Sequence, residues 1–173
     1  MKIILSAAIS VNGYIADENG SEDFLSHENW IAFTKLAKKT GNFIYGRKTY
    51  EAVKSWEKDY LTDLKDVVKL VISANKKLKP EWDFQRVDSP EEAIALLRNK
   101  GYEEILVTGG SSIYSYFLSH NLIDEIIFYV NPVILGKGKL VFNFEGKELK
   151  LELLESTELN EGILELHYKV FKD

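Results

Sequence analysis

Two glycine-containing turns follow predicted strands and carry residues that could bind a phosphate. The first is Gly46-Arg47-Lys48-Thr49, after the short strand 42–45, and the second is Gly109-Gly110-Ser111-Ser112, after the strand 105–107. Glycine lets the backbone approach a ligand closely, and the amides of a helix N-terminus offer donors and partial positive charge. Because ligands of α/β sheets bind at the carboxyl ends of strands, two such turns suggest a dinucleotide.

Charge supports the first turn, although each turn also has a simpler explanation. Residues 35–54 carry six cations and one anion, inside a chain whose net charge is −5. Such a run is also typical of a solvated helix face. The second turn lacks the G-x-G-x-x-G spacing of a Rossmann fingerprint, so it could be an ordinary packing junction. Ser73 follows another predicted strand and is expected at the same sheet edge.

The composition excludes several kinds of site. Cysteine is absent, which excludes disulfides, thiolate nucleophiles and cysteine-based metal centres. The sequence contains no G-x-S-x-G and no H-E-x-x-H, its three histidines show no pairing pattern, and we predict no metal site. An acidic chain argues against a general nucleic-acid partner.

No membrane partner is expected, since no stretch approaches the ~18 apolar residues of a membrane span. The apolar N-terminal run 3–11 is interpreted as a buried strand rather than a signal peptide, because two serines interrupt it. The expected compartment is the cytoplasm.

The 173 residues predict one α/β domain over 1–173. Apolar runs of strand length alternate with helical patterns in the order βαβαβαβ, and consecutive strands follow at 123–135, 149–156 and 162–171. This order predicts a mostly parallel central sheet flanked by helices, with antiparallel strands at the C-terminal end.

Capping residues place two helices within this pattern. Ser26 and Gly41 bound a helix over 27–39, and Ser89-Pro90 begins another that stops at Gly101. Residues 54–66 and 74–88 are predicted to be loops, as is most of 10–26, where Asn12-Gly13 and Asn19-Gly20 mark turns.

Four ordered motifs resemble the dihydrofolate reductase-like family. Within it they match the branch of the C-terminal reductase domain of the bifunctional riboflavin-biosynthesis deaminase–reductase. The motifs are Ser10-Val11-Asn12-Gly13-Tyr14-Ile15-Ala16, Gly46-Arg47-Lys48-Thr49-Tyr50-Glu51, Thr108-Gly109-Gly110-Ser111-Ser112-Ile113-Tyr114 and Pro132-Val133-Ile134-Leu135-Gly136-Lys137-Gly138. Together they span nearly the whole chain. The resemblance therefore implies a dihydrofolate-reductase-like fold.

The same resemblance implies an NADPH-dependent reductase, in which the cofactor supplies a hydride. Ala8, Ile15 and Ala16 are then expected beside the nicotinamide and its ribose. The turn from Gly46 to Thr49 is expected at the adenosine phosphates, with Arg47 and Ser73 near the 2′-phosphate. The diphosphate is expected on Gly109, Gly110, Ser111, Ser112 and Ile113.

The substrate is less well defined by the resemblance than the cofactor. Asn12 replaces an aspartate of the family motif, and the arginines with which the riboflavin branch grips its substrate phosphate have no match. The implied substrate is a small planar nitrogen heterocycle, such as a pyrimidine of riboflavin synthesis. The implied activity is then close to 5-amino-6-(5-phosphoribosylamino)uracil reductase.

Two acidic residues, Asp23 and Glu28, are candidates to supply the proton that accompanies the hydride. Both are expected to face the nicotinamide, with the loop before Glu28 acting as a lid. A homodimer is expected by similarity to relatives. The alternatives are a true dihydrofolate reductase and an NADPH-binding protein without catalysis.

Overall fold

The computed structural model describes residues 1–55, 59–144 and 148–172. Its strands are β1 (Lys2–Ser10), β2 (Tyr14–Asp17), β3 (Asn42–Gly46), β4 (Val68–Ile72), β5 (Phe84–Val87), β6 (Glu104–Val107), β7 (Glu125–Asn131), β8 (Gly138–Leu140), β9 (Leu151–Glu158) and β10 (Leu164–Val170). Its helices are α1 (His27–Thr40), α2 (Arg47–Lys54), α3 (Asp59–Thr62), α4 (Pro90–Asn99) and α5 (Ser111–Ser119), and a 3₁₀ turn covers Asn160–Gly162.

The main sheet has eight strands in the order β5-β4-β3-β6-β1-β7-β10-β9. The six strands from β5 to β7 are mutually parallel, and β10 is antiparallel to both of its neighbours. The short strands β2 and β8 pair separately as a second sheet. The predicted fold class, a mostly parallel sheet with antiparallel C-terminal strands, is confirmed.

Both faces of the sheet are covered, which explains why its central strands are apolar throughout. Along β1, Ile3, Leu5 and Ile9 enter one core together with α4 and α5, whereas Ile4 enters the other with α1 and α2. This alternation follows from the two-residue period of a strand. Helices thus cover the two faces of the central strands, whereas β9 is exposed along its length.

The helix boundaries follow the capping residues. Gly41 ends α1 in a left-handed conformation, with φ of 72°, and its amide bonds to Ala37. Ser89 caps α4 by accepting a hydrogen bond from the Glu92 amide. Both predicted signals are confirmed.

The loop predictions are wrong in three places. The segment 74–88 contains β5, 10–26 contains β2, and 54–66 contains α3, with residues 56–58 outside the described part. The strand predicted over 123–135 also ends early, at Asn131. The elements β2, α3 and β5 are each four residues long, too short to show a local period. The two strands form by pairing with β8 and β4.

Within the described ranges, no helix combines the length and apolarity that crossing a bilayer requires.

Candidate functional site

A cavity of about 490 Å³ opens at the carboxyl ends of the parallel strands. Its walls come from the ends of β1, β3 and β6, from the loop before α1, and from the first turns of α1, α2 and α5. Its size lies in the range of small-molecule sites, which is roughly 300–1,000 Å³. The topology therefore places the cavity where α/β sheets bind ligands.

The two glycine turns of the sequence meet at one side of this cavity. The Gly46 amide donates a 2.6 Å hydrogen bond to the Gly109 carbonyl. A Cβ on Gly46 would lie 2.7 Å from Cγ1 of Ile113, so only glycine fits there. Gly109 has a φ of +144°, the peptide bond between Gly109 and Gly110 is cis, and a Cβ on Gly110 would lie 3.0 Å from Oγ1 of Thr49.

The helices that begin at the cavity have uncapped N-termini. No side chain caps α1, α2 or α5, whose N-cap residues are Ser26, Gly46 and Gly110, whereas α4, away from the cavity, is capped by Ser89. The first amides of a helix need partners and carry partial positive charge. The adjacent starts of α2 and α5 are therefore suited to an anion such as a diphosphate.

The cationic residues of the first turn lie outside the cavity. Arg47 is exposed and makes two hydrogen bonds to the Glu51 carboxylate, at 2.7 and 2.9 Å. Lys48 is also exposed. Ser73 is buried at the end of β4, where its carbonyl accepts a hydrogen bond from Arg86.

The other residues expected to bind the cofactor divide into two groups. Ala8, Ile15, Thr49, Gly109 and Gly110 line the cavity. Ala16 does not, because it is buried in β2 with its carbonyl against Gly138. Gly46 and Ile113 pack together behind the lining, Ser111 is half-buried, and Ser112 is exposed.

An aromatic wall forms another side of the cavity. Tyr60, Trp30, Phe33 and Tyr45 follow one another, with ring-centroid separations of 5.2, 5.2 and 6.2 Å. All four residues line the cavity. Aromatic faces bind flat, apolar ring systems well, so this wall suits a planar heterocycle.

Glu22 is the acidic residue that the structure adds to the candidate site. It lines the cavity and is half-buried. Burial raises the pKa of its carboxyl above the ordinary value, and the positive charge of Lys139 opposes that shift. The charge of Glu22 adds to the effect of burial in raising the pKa of Tyr45 and Tyr114. A carboxyl group that retains its proton in a cavity can donate it.

Of the two predicted acids, only Asp23 lines the cavity, where its side chain remains exposed. Glu28 does not line it, and its carboxylate accepts a hydrogen bond from the Asn160 side chain at 3.1 Å. The expectation that Glu28 faces the cavity is therefore corrected. The reason is the helical turn, which directs residue 28 away from the wall that carries Trp30.

The loop that carries Glu22 and Asp23 is anchored at its base. Asp17 accepts hydrogen bonds from the amides of Asn19 and Ser21 through the same carboxylate oxygen, both at 2.8 Å. Asp17, the last residue of β2, also pairs with Gly138 of β8. The predicted lid is thus partly built into the second sheet.

Buried polar groups position the start of α1. The side-chain amides of Asn29 and Asn131 bond to each other at 2.7 and 3.2 Å, and Asn131 also bonds to carbonyls of β1 and β7. The hydroxyl of Ser26 is buried and finds no hydrogen-bond partner among the described residues. Ser26 itself is one of the residues that line the cavity.

The described residues contain no group of histidine, aspartate and glutamate side chains that could hold a metal ion. The cavity brings together an aromatic surface and a carboxyl whose pKa is raised by burial. Neighbouring helix starts can hold an anionic group.

Residues 1–164 match the RibD C-terminal domain family. Over 96% of this chain and 94% of the relative, the sequence is 27% identical to the uncharacterized protein YyaP of Bacillus subtilis. A crystal structure from Shewanella sp. PV-4, provisionally named a riboflavin biosynthesis protein, superposes with a TM-score of 0.79, at 23% identity over 99% of this chain and 100% of that one.

A second solved structure is similar in fold. It is the diaminohydroxyphosphoribosylaminopyrimidine deaminase/5-amino-6-(5-phosphoribosylamino)uracil reductase of Thermotoga maritima. It gives a TM-score of 0.72 at 17% identity over 97% of this chain and 56% of the longer one.

The packing of Gly46 against Ile113 predicts a specific pair of mutational effects. Gly46→Ala is expected to lower the free energy of unfolding by about 1–3 kcal/mol, because the new methyl overlaps Ile113. In an Ile113→Ala background the same change is expected to cost less than about 1 kcal/mol. Chemical denaturation of the four proteins measures this coupling. Gly136→Ala, with open space around it, is the control. An equal cost in both backgrounds would contradict the packing.

Glu22 predicts a pH-dependent change in stability. A raised pKa in the folded state means that the folded protein loses stability as pH rises through that pKa. Glu22→Gln should therefore raise the melting temperature near neutral pH, and the gain should disappear at or below the ordinary glutamate pKa of 4.5. Glu18→Gln, at an exposed position of the same loop, is the control. A Glu22→Gln protein less stable than the parent at neutral pH would refute the account.

Proposed function

The chain belongs to the RibD C-terminal domain family, and on that premise we propose that it is an NADPH-dependent reductase of a small, planar nitrogen heterocycle. One observation carries the proposal. The two glycine turns, the aromatic wall and the carboxyl of Glu22 all border one cavity. That arrangement supplies a place for a dinucleotide, a surface for a flat ring and a proton.

The family supports the reductase class. The Thermotoga maritima neighbour is named as a uracil reductase acting on a phosphoribosylamino substrate. A riboflavin-pathway reductase-like role is the coarse assignment that family membership supports, and the specific substrate is part of the proposal.

The residues at the cavity fit NADPH on physical grounds. The uncapped starts of α2 and α5 would hold the diphosphate beside Gly109 and Gly110, which line the cavity. Ala8 and Ile15 would border the nicotinamide, and Arg47 would approach the 2′-phosphate. When bound, NADPH supplies a hydride.

The protein's own contribution is to orient the acceptor and to supply a proton. The aromatic wall holds the ring flat, and the unpartnered hydroxyl of Ser26 can bond to a polar ring atom. Reduction of a C=N bond adds a hydride to carbon, and the π electron pair moves to nitrogen, which takes a proton. Glu22 is the group we assign to give that proton, since burial favours its protonated form. Water then restores the proton to its carboxylate.

Two other functions remain as rivals. The first rival is a true dihydrofolate reductase, and the second is an NADPH-binding protein without catalysis. A binding protein without catalysis would show tight NADPH binding and no turnover.

Cofactor selectivity gives the first test. NADPH is expected to bind more tightly than NADH by roughly 10- to 100-fold, because charge-assisted hydrogen bonds to the 2′-phosphate contribute about 1.5–3 kcal/mol. Arg47→Ala should remove most of that preference while leaving NADH affinity unchanged, as measured by calorimetry. Arg98→Ala, an exposed change at the far end of α4, is the matched control. Equal affinities of the parent protein for the two cofactors would rule out the proposed 2′-phosphate site.

Turnover gives the second test and decides among the three acids. Dihydrofolate and a phosphoribosylaminouracil are assayed as hydride acceptors in the presence of NADPH. Glu22→Gln is expected to lower kcat by roughly 100-fold or more at unchanged NADPH affinity, since a positioned acid contributes about 10²–10⁴-fold. Asp23→Asn should have a smaller effect, and Glu28→Gln none. Full activity of Glu22→Gln would remove Glu22 from the mechanism. Tight NADPH binding without reduction of any acceptor would favour the binding protein.

A further inference from the structure

Tyr129 connects the cavity to the antiparallel strands at the C-terminal end of the sheet. It lies on β7, where it pairs with Ala8 of β1 on one side and with Glu165 of β10 on the other. Tyr129 lines the cavity and is only 4% exposed, and Glu165 is half-buried. Directly opposite residues of an antiparallel pair have their side chains on the same face, with Cβ atoms about 4.5–5.5 Å apart. Glu165 is therefore a neighbour of Tyr129 on the face of the sheet that packs against α1.

The hydroxyl of Tyr129 has two side-chain partners. Burial is the main cause of its raised pKa, and the charge of Glu165 and a hydrogen bond to that carboxylate raise the pKa further. A hydrogen bond with Ser6 lowers the pKa instead. A bond that raises the pKa stabilises the protonated phenol, whereas one that lowers it stabilises the phenolate. Tyr129 therefore donates its proton to Glu165 and accepts the proton of Ser6.

A second tyrosine of the cavity also donates its proton to the protein. The hydroxyl of Tyr114 gives a 2.6 Å hydrogen bond to the Ser6 carbonyl, and both residues line the cavity. A hydroxyl group has one proton and two acceptor lone pairs. Because the protein takes the protons of Tyr114 and Tyr129, these two hydroxyls keep only lone pairs for a ligand. They can accept a hydrogen bond from it but cannot donate one.

The loop before α1 supplies the complementary groups. The Ser26 hydroxyl has no partner among the described residues, and burial favours the protonated form of Glu22. Both residues line the same cavity. A ring in the cavity therefore meets donors from the loop and acceptors from the tyrosines. The edge of the ring that faces Tyr129 must carry a donor of its own.

We propose that Tyr129, oriented by Glu165, makes the cavity specific for a ring that presents an N–H group to the tyrosine oxygen. Glu165 is the positioning residue, because its carboxylate holds the tyrosine proton away from the ligand. A ring without that N–H leaves the Tyr129 oxygen unpaired in a buried place, which weakens binding. This inference rests on the proposed function for the placement of the ring, and it adds the hydrogen-bonding pattern that the ring must have.

The test compares one uracil probe with two methylated forms of it. The unmethylated probe is a 5-amino-6-ribosylaminouracil, and each derivative carries a methyl group on N1 or on N3 and so lacks one ring N–H. Dissociation constants are measured by calorimetry on the full chain saturated with NADP⁺, so that the result does not depend on turnover. A methyl group also adds bulk. Each comparison is therefore repeated in Tyr129→Phe, which keeps the aromatic ring and lacks the hydroxyl.

At least one methylated form is expected to bind roughly 5- to 30-fold more weakly than the unmethylated probe, the effect of one lost hydrogen bond. In Tyr129→Phe that difference should fall to under about threefold, because the hydroxyl that reads the N–H is gone. Tyr168→Phe is the matched control. It removes a hydroxyl from β10 outside the described lining of the cavity and should leave the difference unchanged.

Two substitutions separate orientation by Glu165 from a merely structural role. Glu165→Gln keeps an oxygen that can accept the tyrosine proton, and it should retain most of the difference. Glu165→Met has a similar length without an acceptor, so the proton of Tyr129 is free to turn toward the ligand. The difference should then fall by about half or more. General damage to the fold would weaken all three probes alike, and an undiminished difference in Glu165→Met would overturn the role of Glu165.

The outcomes separate this inference from the proposed function. Reduction of an acceptor by NADPH without any Tyr129-dependent difference among the probes would overturn the inference and leave the reductase intact. A Tyr129-dependent difference without reduction of any acceptor would support the inference and overturn the reductase. Failure of all three probes to bind the NADP⁺-saturated protein would overturn the inference, whereas the turnover test with dihydrofolate would still decide the reductase.

Discussion

The hydrogen bond from the Gly46 amide to the Gly109 carbonyl is the constraint on which the candidate site depends. The strands β3 and β6 share a single paired position, Ile44 with Val107, so their carboxyl ends are otherwise free to diverge. The 2.6 Å bond, with the bond from the Thr108 amide to the Ile44 carbonyl, keeps them together. The starts of α2 and α5 are consequently neighbours at the side of the cavity that Thr49 and Gly110 line.

The starts of α2 and α5 can pack this closely because glycine, which has no side chain, occupies the two turns. Ile113 of α5 fills the space beside Gly46, and Thr49 of α2 fills the space beside Gly109 and Gly110. Each helix thus packs against the glycine of the other turn. A change at either turn moves a helix start, and with it the amides that would hold a diphosphate.

Charge is distributed unevenly around the cavity. Glu22 and Asp23 line the cavity, Arg47 and Lys48 lie at the exposed start of α2, and the chain as a whole carries −5. At Glu22 burial is the larger influence on the pKa, since desolvation favours the protonated carboxyl. Through the same raised pKa, Glu22 is expected to lower the stability of the fold as pH rises.

Local signals in the sequence predict the helices and strands better than they predict which acidic residues line the cavity. Gly41 and Ser89 mark helix ends through backbone chemistry that involves only neighbouring residues, and both were predictable. The strand β5 depends on pairing with β4, so its short segment gives no local period. The raised pKa of Glu22 depends on burial and on Lys139, and Glu22 in turn raises the pKa of Tyr45. The fold brings these residues together from distant positions in the sequence. Asp23 and Glu28 are close in sequence, but Asp23 lines the cavity and Glu28 does not, because position along the chain does not determine where a side chain points.

A crystal structure of the protein with NADP⁺ would test the account most directly. The account predicts the diphosphate on the amides that follow Gly46 and Gly110, and the nicotinamide beside Ala8 with its outer face toward Glu22. A cofactor bound away from the two glycine turns, or a nicotinamide outside the cavity, would contradict it.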